Sequence, residues 1–283
     1  MFKLGVAQIN PVLNDLKSNK EKHLSLLERA ISDKVNVLVF PELSLTGYYL
    51  LDGVAEASLP LNSPFLNDFK KISEEISFSL GMIEKGTDYN PYISQLFFEK
   101  GEIKGVHRKV YLPTHGIFED LKYFARGKKV EVINSRYGKA GMLICRDFMH
   151  LSLNLLLSLQ GMNILLLSSA IPVRGLDKEK GFSVKESIEY LLRSLANYLN
   201  VFIAFSSRGG FEEGIAFMGS SLILNNYGFI VKEGAFMKED FLTYSVDMEE
   251  IYKKNITFPL IREEDLLMVK ENMRFIGNDK PEL

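Results

Sequence analysis

The sequence predicts an α/β protein in which two mixed sheets pack together with helices on the outside. Strand-like and helix-like segments alternate along the 283 residues, and no linker-like break separates them. Hairpin patterns interrupt this alternation, which indicates antiparallel strands beside the parallel ones. We therefore expect residues 1–283 to form a single domain that is long enough to bury a sizeable core.

The elements of the first half follow from apolar runs of strand length and from apolar residues spaced along one helix face. The pair Ser63-Pro64 suits a helix start, because a proline in the first turn loses no hydrogen bond there. In chain order we predict a strand over residues 2–8, a helix over 16–31, a strand over 35–40, a helix opened by Ser63-Pro64, a strand over 76–83 and a hairpin over 93–109 that turns at Lys100-Gly101.

The second half repeats these patterns, and its clearest helix start is the capping box Ser183-Val184-Lys185-Glu186. In chain order we predict a strand over residues 140–145, a helix over 151–160, a strand over 164–168, the helix that begins at Ser183, and strands over 201–206, 220–224, 229–232 and 242–246. From about Glu249 the chain is charged, and residues 249–283 are treated as a C-terminal tail.

Composition excludes several classes of protein. With 34 Lys and Arg against 36 Asp and Glu, and a net charge of -2, the chain lacks the basic excess that nucleic-acid binding needs. The apolar stretches are too short to span a bilayer and no secretory signal is visible, so we expect a cytoplasmic protein without a membrane partner. The lone cysteine, Cys145, excludes an intramolecular disulfide, and the four scattered histidines indicate no metal site.

Three residues that could carry chemistry each follow the end of a predicted strand. Cys145 ends an apolar run and precedes Arg146-Asp147, Glu42 follows Phe40-Pro41, and Lys109 closes the predicted hairpin. Strand ends are where α/β folds place their functional sites. A lone cysteine more often packs as a small hydrophobe, and a strand-end Glu or Lys is usually solvated, so each residue alone is a weak indication.

Taken together, three segments resemble the motif blocks of the nitrilase superfamily of carbon–nitrogen hydrolases, in the same order and at suitable spacing. They are Phe40-Pro41-Glu42-Leu43-Ser44-Leu45-Thr46-Gly47-Tyr48, Arg108-Lys109-Val110-Tyr111-Leu112-Pro113-Thr114 and Gly141-Met142-Leu143-Ile144-Cys145-Arg146-Asp147. Two later segments, Ser168-Ser169-Ala170 and Phe217-Met218-Gly219-Ser220-Ser221, also look like that family's pattern. The resemblance therefore covers nearly the whole chain.

The resemblance implies a four-layer α-β-β-α sandwich with two mixed sheets. It also implies pairing through helices, so we expect a homodimer or a higher homo-oligomer in which residues 249–283 contact a partner subunit. The catalytic triad of the family maps onto Glu42, Lys109 and Cys145, and its second acid maps onto Glu119. The Lys109 ammonium and the backbone N–H of Arg146 are expected to stabilise the oxyanion, and no cofactor is implied.

The reaction implied by the resemblance is hydrolysis of a non-peptide C–N bond in a small amide, with release of ammonia or an amine. Glu42 takes the proton of the Cys145 thiol, the sulfur attacks the amide carbon, and an acyl thioester forms. Glu42 returns the proton to the leaving group and then activates the water that releases the acid. The choice between amide, nitrile and carbamoyl substrates is left open, and amides are preferred because they are commoner in the family than nitriles.

The sequence departs from the family pattern just after the predicted nucleophile. Relatives that act on carboxylate-bearing carbamoyl amides carry Arg-Phe-Pro there, whereas this chain has Asp147-Phe148-Met149-His150. Arg174 could serve an anionic substrate instead, although a loop arginine is at least as often simply solvated. The other residues expected to line the substrate pocket are Tyr48, Phe118, Phe148 and Ser169.

Four alternatives stay open at this point. A papain-type enzyme would pair Cys145 with His115 or His150, and would leave Glu42 and Lys109 unexplained. The same fold could serve as a binding subunit without turnover, or could transfer the acyl group to an amine rather than to water. The fourth alternative is an ammonia-producing glutaminase whose synthetase partner is a separate protein.

Overall fold

A computed structural model gives the fold of the chain. It describes the backbone of residues 1–116, 118–173, 176–177 and 181–278, and the side chains of all of these except 176–177, 181–183 and 275–278. Its α-helices are α1 (Leu16–Ser32), α2 (Val54–Ala57), α3 (Asn67–Ile72), α4 (Asp120–Tyr123), α5 (Leu151–Leu159), α6 (Ser183–Leu199), α7 (Glu249–Thr257) and α8 (Leu266–Asn278). Shorter 3-10 helices lie over Leu51–Gly53, Pro64–Leu66, Cys145–Met149 and Leu260–Glu263.

The strands form two six-stranded sheets and two short ribbons. In chain order they are β1 (Phe2–Gln8), β2 (Val37–Val39), β3 (Ser77–Lys85), β4 (Pro91–Glu99), β5 (Glu102–Arg108), β6 (Ile133–Ser135), β7 (Gly138–Ile144), β8 (Ile164–Ser169), β9 (Leu176–Asp177), β10 (Gly181–Phe182), β11 (Phe202–Ser207), β12 (Gly209–Glu212), β13 (Ile215–Met218), β14 (Leu222–Leu224), β15 (Ile230–Glu233) and β16 (Asp240–Val246).

Both six-stranded sheets are mixed. The first has the spatial order β16-β1-β2-β3-β4-β5 and the second has the order β15-β14-β11-β8-β7-β6. In the first sheet β1, β2 and β3 run parallel, and in the second β7, β8 and β11 do so. The remaining pairs of neighbouring strands in each sheet are antiparallel. This agrees with the predicted hairpins, which place antiparallel strands beside the parallel ones.

The two sheets pack face to face across a layer of apolar side chains. This inner core brings Val6 and Val39 of the first sheet against Met142, Leu166 and Ala204 of the second. Helices α1 and α3 cover the outer face of the first sheet, and α5 and α6 cover the outer face of the second. The α-β-β-α sandwich with two mixed sheets is therefore confirmed.

Most elements lie within a few residues of their predicted positions. The hairpin of β4 and β5 turns at Lys100-Gly101 as predicted, because both residues adopt left-handed backbone conformations, with φ of 54° and 77°. The ribbon of β12 and β13 is not predicted by the sequence, since the glycines in Gly209-Gly210 and Glu213-Gly214 interrupt the alternation that marks a strand.

The C-terminal tail contains two helices, and the first of them packs on this domain. Ile251 of α7 reaches the inner core, and Lys254 of the same helix donates hydrogen bonds to Asn197 and to the carbonyl oxygen of Asn226. The longest helices, α1 and α6, have 17 residues each. Over the residues given above, no helix is long and apolar enough to cross a membrane.

The sheet topology brings three strand ends to one edge of the sandwich. Because β3 and β5 both run antiparallel to β4, β5 points the same way as β2 and β3. The residues that follow β2 and β5 therefore emerge together from the first sheet. The residue that follows β7 meets them from the second sheet, and this edge holds the candidate site.

Candidate active site

Glu42, Lys109 and Cys145 lie together at this edge, and all three are buried. Lys109 Nζ is 2.6 Å from Glu42 Oε1, and the two residues are each 1% exposed. The Cys145 thiol lies near enough to Glu42 to affect its pKa. In the described structure, however, Glu42 Oε2 makes no hydrogen bond of ordinary geometry. One oxygen of the Glu42 carboxylate is therefore available beside the thiol for a proton or a water.

Cys145 occupies a sharp turn between β7 and the 3-10 helix that follows it. Its φ of 45° lies in the left-handed region, which costs a non-glycine residue on the order of 1–3 kcal/mol. The turn directs the chain away from the strand just after Ile144. It places the Cys145 sulfur beside the Ser169 hydroxyl and the backbone N–H of Ala170, at the end of β8.

The loop that carries Glu42 lies directly on β3, and Gly81 allows this close approach. A Cβ at Gly81 would lie 2.4 Å from the backbone nitrogen of Leu43 and 2.6 Å from the carbonyl oxygen of Pro41. The Ser44 hydroxyl accepts the Gly81 N–H at 3.1 Å and is held in turn by the imidazole of His23, at 2.9 Å. These contacts fix the backbone on both sides of the Glu42 carboxylate.

The second acid beside Lys109 is Asp120, and the sequence-based assignment of Glu119 to this position is corrected. Asp120 Oδ2 lies 2.6 Å from Lys109 Nζ, and Asp120 is 3% exposed. The Glu119 side chain is 51% exposed and faces Lys122, 3.8 Å away. The first turn of α4 begins at Asp120 and directs these neighbouring side chains apart, so that only Asp120 points inward.

Tyr48 connects Asp120 to a buried ion pair. Its hydroxyl donates to Asp120 Oδ1 at 2.6 Å, and its backbone N–H donates to Glu212 Oε1 at 2.9 Å. Glu212 also accepts the N–H of Tyr49, and it pairs with Arg208 Nη1 at 2.6 Å. Arg208 lies between β11 and β12, and Glu212 is the last residue of β12. No functional residue is predicted there from the sequence.

Asp147 holds the Lys109 strand end against the Cys145 turn. Its Oδ1 accepts the N–H groups of Val110 and Tyr111, which directly follow Lys109. Its Oδ2 accepts the N–H of Ile144 and lies 2.8 Å from His107 Nε2. Asp147 is fully buried, and its hydrogen bonds connect the two sheets at the site.

The buried charges influence one another's protonation. Burial raises the pKa of Glu42 to about 7, and the charge of Asp120 raises it while that of Lys109 opposes the rise. Burial and the charge of Glu42 raise the pKa of the Cys145 thiol to about 12. Burial opposes ionisation of Lys109, but Asp120 and Glu42 hold its pKa well above 10.5. At neutral pH the site therefore contains a thiol, an ammonium ion and a Glu42 carboxyl that is partly protonated.

A cavity of about 170 Å³ opens beside Cys145. It is smaller than the roughly 300–1,000 Å³ of pockets that take drug-sized ligands. Among the expected pocket residues, Phe118 lines it. The described part of its wall consists of Pro113, His115, Phe118, Cys145, Arg146, Met149, Ile171, Pro172 and Val184.

The other expected pocket residues take different places. Phe148 is fully buried and packs edge-on against Phe205, so it belongs to the core rather than to the cavity wall. Ser169 lies next to the Cys145 sulfur, and Tyr48 stands behind Lys109, with 5.9 Å between Nζ and the ring centre. Arg174 lies outside the described residues.

Neither histidine required by a papain-type pairing contacts the thiol. The His150 ring stacks on Tyr111, with 3.4 Å between ring centres. His115 is exposed and meets the edge of Phe118 at 5.5 Å. Within the described residues, neither ring is hydrogen bonded to Cys145, whose acidic neighbour is Glu42.

A sandwich of this kind with a Glu–Lys–Cys cluster at the sheet edge is the arrangement expected of the nitrilase superfamily. Residues 3–255 match the family described as carbon-nitrogen hydrolase, and the chain belongs to that family.

Similar proteins include synthetases that are longer than this chain. A glutamine-dependent NAD(+) synthetase of Thermotoga maritima is 28% identical over 261 residues, which cover 91% of this chain and 44% of the synthetase. The structure of the Acinetobacter baumannii glutamine-dependent NAD+ synthetase matches with a TM-score of 0.76 and 25% identity, over 88% of this chain and 46% of that one. The chain thus spans less than half the length of these relatives.

A carbon-nitrogen hydrolase of Helicobacter pylori has a similar fold over its whole length. Its crystal structure matches with a TM-score of 0.81 and 24% identity, over 95% of this chain and 97% of that one. At this level of identity the likeness concerns the fold alone.

Proposed function

We propose that the protein is a thiol amidohydrolase that cleaves the C–N bond of a small amide through an acyl thioester on Cys145. The observation that carries this proposal is the buried contact of Lys109 Nζ with Glu42 Oε1 at 2.6 Å, beside the thiol of Cys145, which itself lines a small cavity. A base, a cation and a nucleophile within one cluster are the groups that acyl transfer to a thiol requires.

The first half of the reaction forms the thioester. The ionised Glu42 takes the Cys145 proton as the sulfur attacks the amide carbon, and the C=O electrons move onto oxygen. An ammonium group has three N–H donors, and Lys109 gives two of them to Glu42 and Asp120. Its third N–H, together with the backbone N–H of Arg146, is then the proposed donor to the oxyanion. As the oxyanion collapses, the protonated Glu42 gives its proton to the departing nitrogen, and the C–N bond breaks.

The second half hydrolyses the thioester. Glu42, ionised again, takes a proton from a water that attacks the acyl carbon. The C–S bond then breaks, and the proton returns to the sulfur as the acid leaves. Because the reaction requires a free thiol, we also expect the protein to work in a reducing compartment such as the cytoplasm.

The first substrate to consider is the side-chain amide of glutamine. The relatives with the NAD(+) synthetase name are described as glutamine-dependent, and the aligned region covers 91% of this chain in one of them. The small cavity suits a compact amide better than a large one.

The test is ammonia release from glutamine, other small amides, carbamoyl compounds and nitriles, measured for the wild type and for Cys145→Ala. We expect release from at least one amide that vanishes in the variant, together with an acyl adduct on Cys145 in the intact mass of the wild type. Turnover of nitriles alone would change the substrate class. If no compound reacts and no adduct forms, a binding subunit without turnover becomes the better description.

We also propose that the protein forms a homodimer or a higher homo-oligomer through α5 and α6. Both helices carry large apolar or aromatic side chains that are 48% to 65% exposed, namely Leu151, Leu156, Tyr190 and Tyr198. Burying such groups against a second copy is favourable. Sedimentation velocity should give at least a dimer mass, and Leu156→Lys should lower it; a wild-type monomer at micromolar concentration would exclude this assembly.

A further inference from the structure

Arg146 places a cation at the wall of the Cys145 cavity, and none of the described residues supplies a counter-ion for it. The residue is half-buried, and the contact made by its guanidinium is from Nη1 to the Met149 sulfur at 3.5 Å. Within the described structure no carboxylate pairs with it. The contrast with other arginines is clear, since Arg108 pairs with Glu84 and Arg208 pairs with Glu212.

The rest of the described cavity wall supplies no negative charge. Apart from Arg146 and the thiol, its only titratable side chain is that of His115, and the other residues are apolar or proline. A partly desolvated cation in apolar surroundings is costly unless an anion accompanies it. The electrostatics of this cavity therefore favour a ligand that carries negative charge.

The guanidinium group also has the geometry to bind a carboxylate. Its planar arrangement of N–H donors can form two parallel hydrogen bonds with the two carboxylate oxygens, which a lysine cannot do. The contact to the Met149 sulfur is weak and easily exchanged for such a pair. The backbone of Arg146 adjoins Cys145, while its guanidinium contacts Met149, another residue of the cavity wall, so an anion bound there would lie away from the reacting carbon.

We propose that the Arg146 side chain is a specificity-determining group that binds a carboxylate at the far end of the amide substrate. This inference rests on the proposed amidohydrolase function, and it gives Arg146 the role in binding an anionic substrate that the sequence alone suggests for Arg174. The substrate class is then a short aliphatic chain with an amide at one end and an anion at the other.

The test compares two substrates of matched shape, glutaramate, which carries a carboxylate, and neutral pentanamide. The quantity measured is the ratio of their kcat/KM values in the wild type, Arg146→Met, Arg146→Gln and Arg146→Lys. A ratio is used because any disturbance of the backbone N–H at Arg146 would affect both substrates. We expect Arg146→Met and Arg146→Gln to lower the ratio on the order of tenfold to a hundredfold, and Arg146→Lys to lower it less. An unchanged ratio in the Met and Gln variants would overturn the inference.

The matched control for loss of charge is Arg126→Met. Arg126 is exposed and lines a different cavity, together with Arg108 and Lys128. Arg126→Met changes the net charge of the protein by the same amount as Arg146→Met. The control variant therefore reports any general electrostatic effect on the reaction of the anionic substrate. The ratio should stay within about twofold of the wild type, since long-range charges on the surface are screened at ordinary salt.

A second measurement separates this inference from the proposed hydrolysis. Because Cys145 is the only cysteine, the intact mass after iodoacetamide treatment reports alkylation of this one thiol. We expect glutarate to slow alkylation more than neutral 1,5-pentanediol does, and Arg146→Met to remove that difference. If no amide is hydrolysed but this protection is found, the anion site stands and the proposed function fails. If amides are hydrolysed and Arg146→Met changes neither measurement, the anion site alone is refuted.

Discussion

Glu212 Oε1 accepts the backbone N–H of Tyr48 at 2.9 Å, which fixes the end of the Glu42 loop from a distant part of the chain. The same carboxylate pairs with the fully buried Arg208. Glu212 therefore has two tasks, since it neutralises a buried guanidinium and orients the residue whose hydroxyl holds Asp120.

Replacing Glu212 with Gln should destabilise the protein and lower its activity. Gln keeps an acceptor for the Tyr48 N–H but leaves Arg208 buried without a counter-charge, which costs on the order of 3 kcal/mol. Urea unfolding followed by circular dichroism measures the change. The neighbouring Glu213 is exposed, so Glu213→Gln is the matched control and should change the free energy of unfolding by less than about 0.5 kcal/mol. Equal stability of the two variants would contradict the role given to Glu212.

Asp120→Asn should lower kcat/KM for a neutral amide, whereas Glu119→Gln should not. Asn at position 120 removes one of the two carboxylates that orient the Lys109 ammonium, and misplacing an oxyanion donor typically costs about a hundredfold or more in rate. The side chain of Glu119 lies outside the cluster, so its variant should stay within about twofold of the wild type. A larger loss for Glu119→Gln than for Asp120→Asn would restore the original assignment of the second acid.

The activity of the wild type should depend on the ionisation of Glu42. Its pKa is raised to about 7, so the carboxylate form needed to accept the thiol proton is lost as pH falls below that value. A plot of log kcat/KM for a neutral amide should therefore rise with a slope near one below about pH 7 and level off above it. Asp120→Asn should move this midpoint to lower pH, because the charge of Asp120 raises the pKa of Glu42. A flat profile down to pH 5.5, with the protein still folded, would refute the role of Glu42 as the base.

Gly81→Ala should abolish most activity by displacing the Glu42 loop. The added methyl carbon would meet backbone atoms of Leu43 and Pro41 at 2.4 and 2.6 Å, and backbone atoms cannot move aside as a flexible side chain can. Gly53→Ala is the matched control, since the nearest atom to its added carbon is Asn14 Nδ2 at 3.7 Å. We expect at least a hundredfold loss of kcat/KM for the first variant, consistent with the effect of misplacing a catalytic group by about 1 Å, and full activity for the second. Similar activity of the two variants would show that the loop tolerates displacement.

His23 should make the folded state sensitive to acid. Burial lowers its pKa from 6.5 to about 4, so between these values the unfolded chain binds a proton that the folded chain does not. The free energy of unfolding should then fall as pH drops from 6.5 towards 4, by about 1.4 kcal/mol per pH unit, with no contribution from His23 above 6.5. His23→Gln should remove this part of the slope, whereas His115→Gln, at an exposed position, should keep it. If the free energy of unfolding changes with pH in the same way in the wild type and in His23→Gln, His23 is not the source of the acid sensitivity.

The strand ends and the three residues that cluster at the candidate site could be predicted from the sequence, because both depend on local patterns. Glu42, Lys109 and Cys145 each come after a strand, and the topology of the sandwich brings these strand ends to one edge. The match to a family pattern identified them as a set. Their burial and their contact distances required the folded structure.

What the sequence could not provide depends on burial and on the direction of individual side chains. Glu119 and Asp120 are adjacent acids in one loop, and only the first turn of α4 decides which of them faces Lys109. Arg208 and Glu212, four residues apart in a glycine-rich segment, look like ordinary surface charges in the sequence, although their side chains are at most 3% exposed. Phe148 illustrates the same limit, since an aromatic residue beside a nucleophile can belong to the core as readily as to a pocket.

The site is divided between the two sheets, with Glu42 and Lys109 at the ends of first-sheet strands and Cys145 at the end of a second-sheet strand. No segment confined to one sheet contains both the proposed base and the proposed nucleophile. A folding intermediate in which only the second sheet has formed would therefore have the Cys145 thiol without the carboxylate that is proposed to activate it. The proposed activity therefore requires the two sheets to have docked, and the time at which activity appears during refolding would report that step.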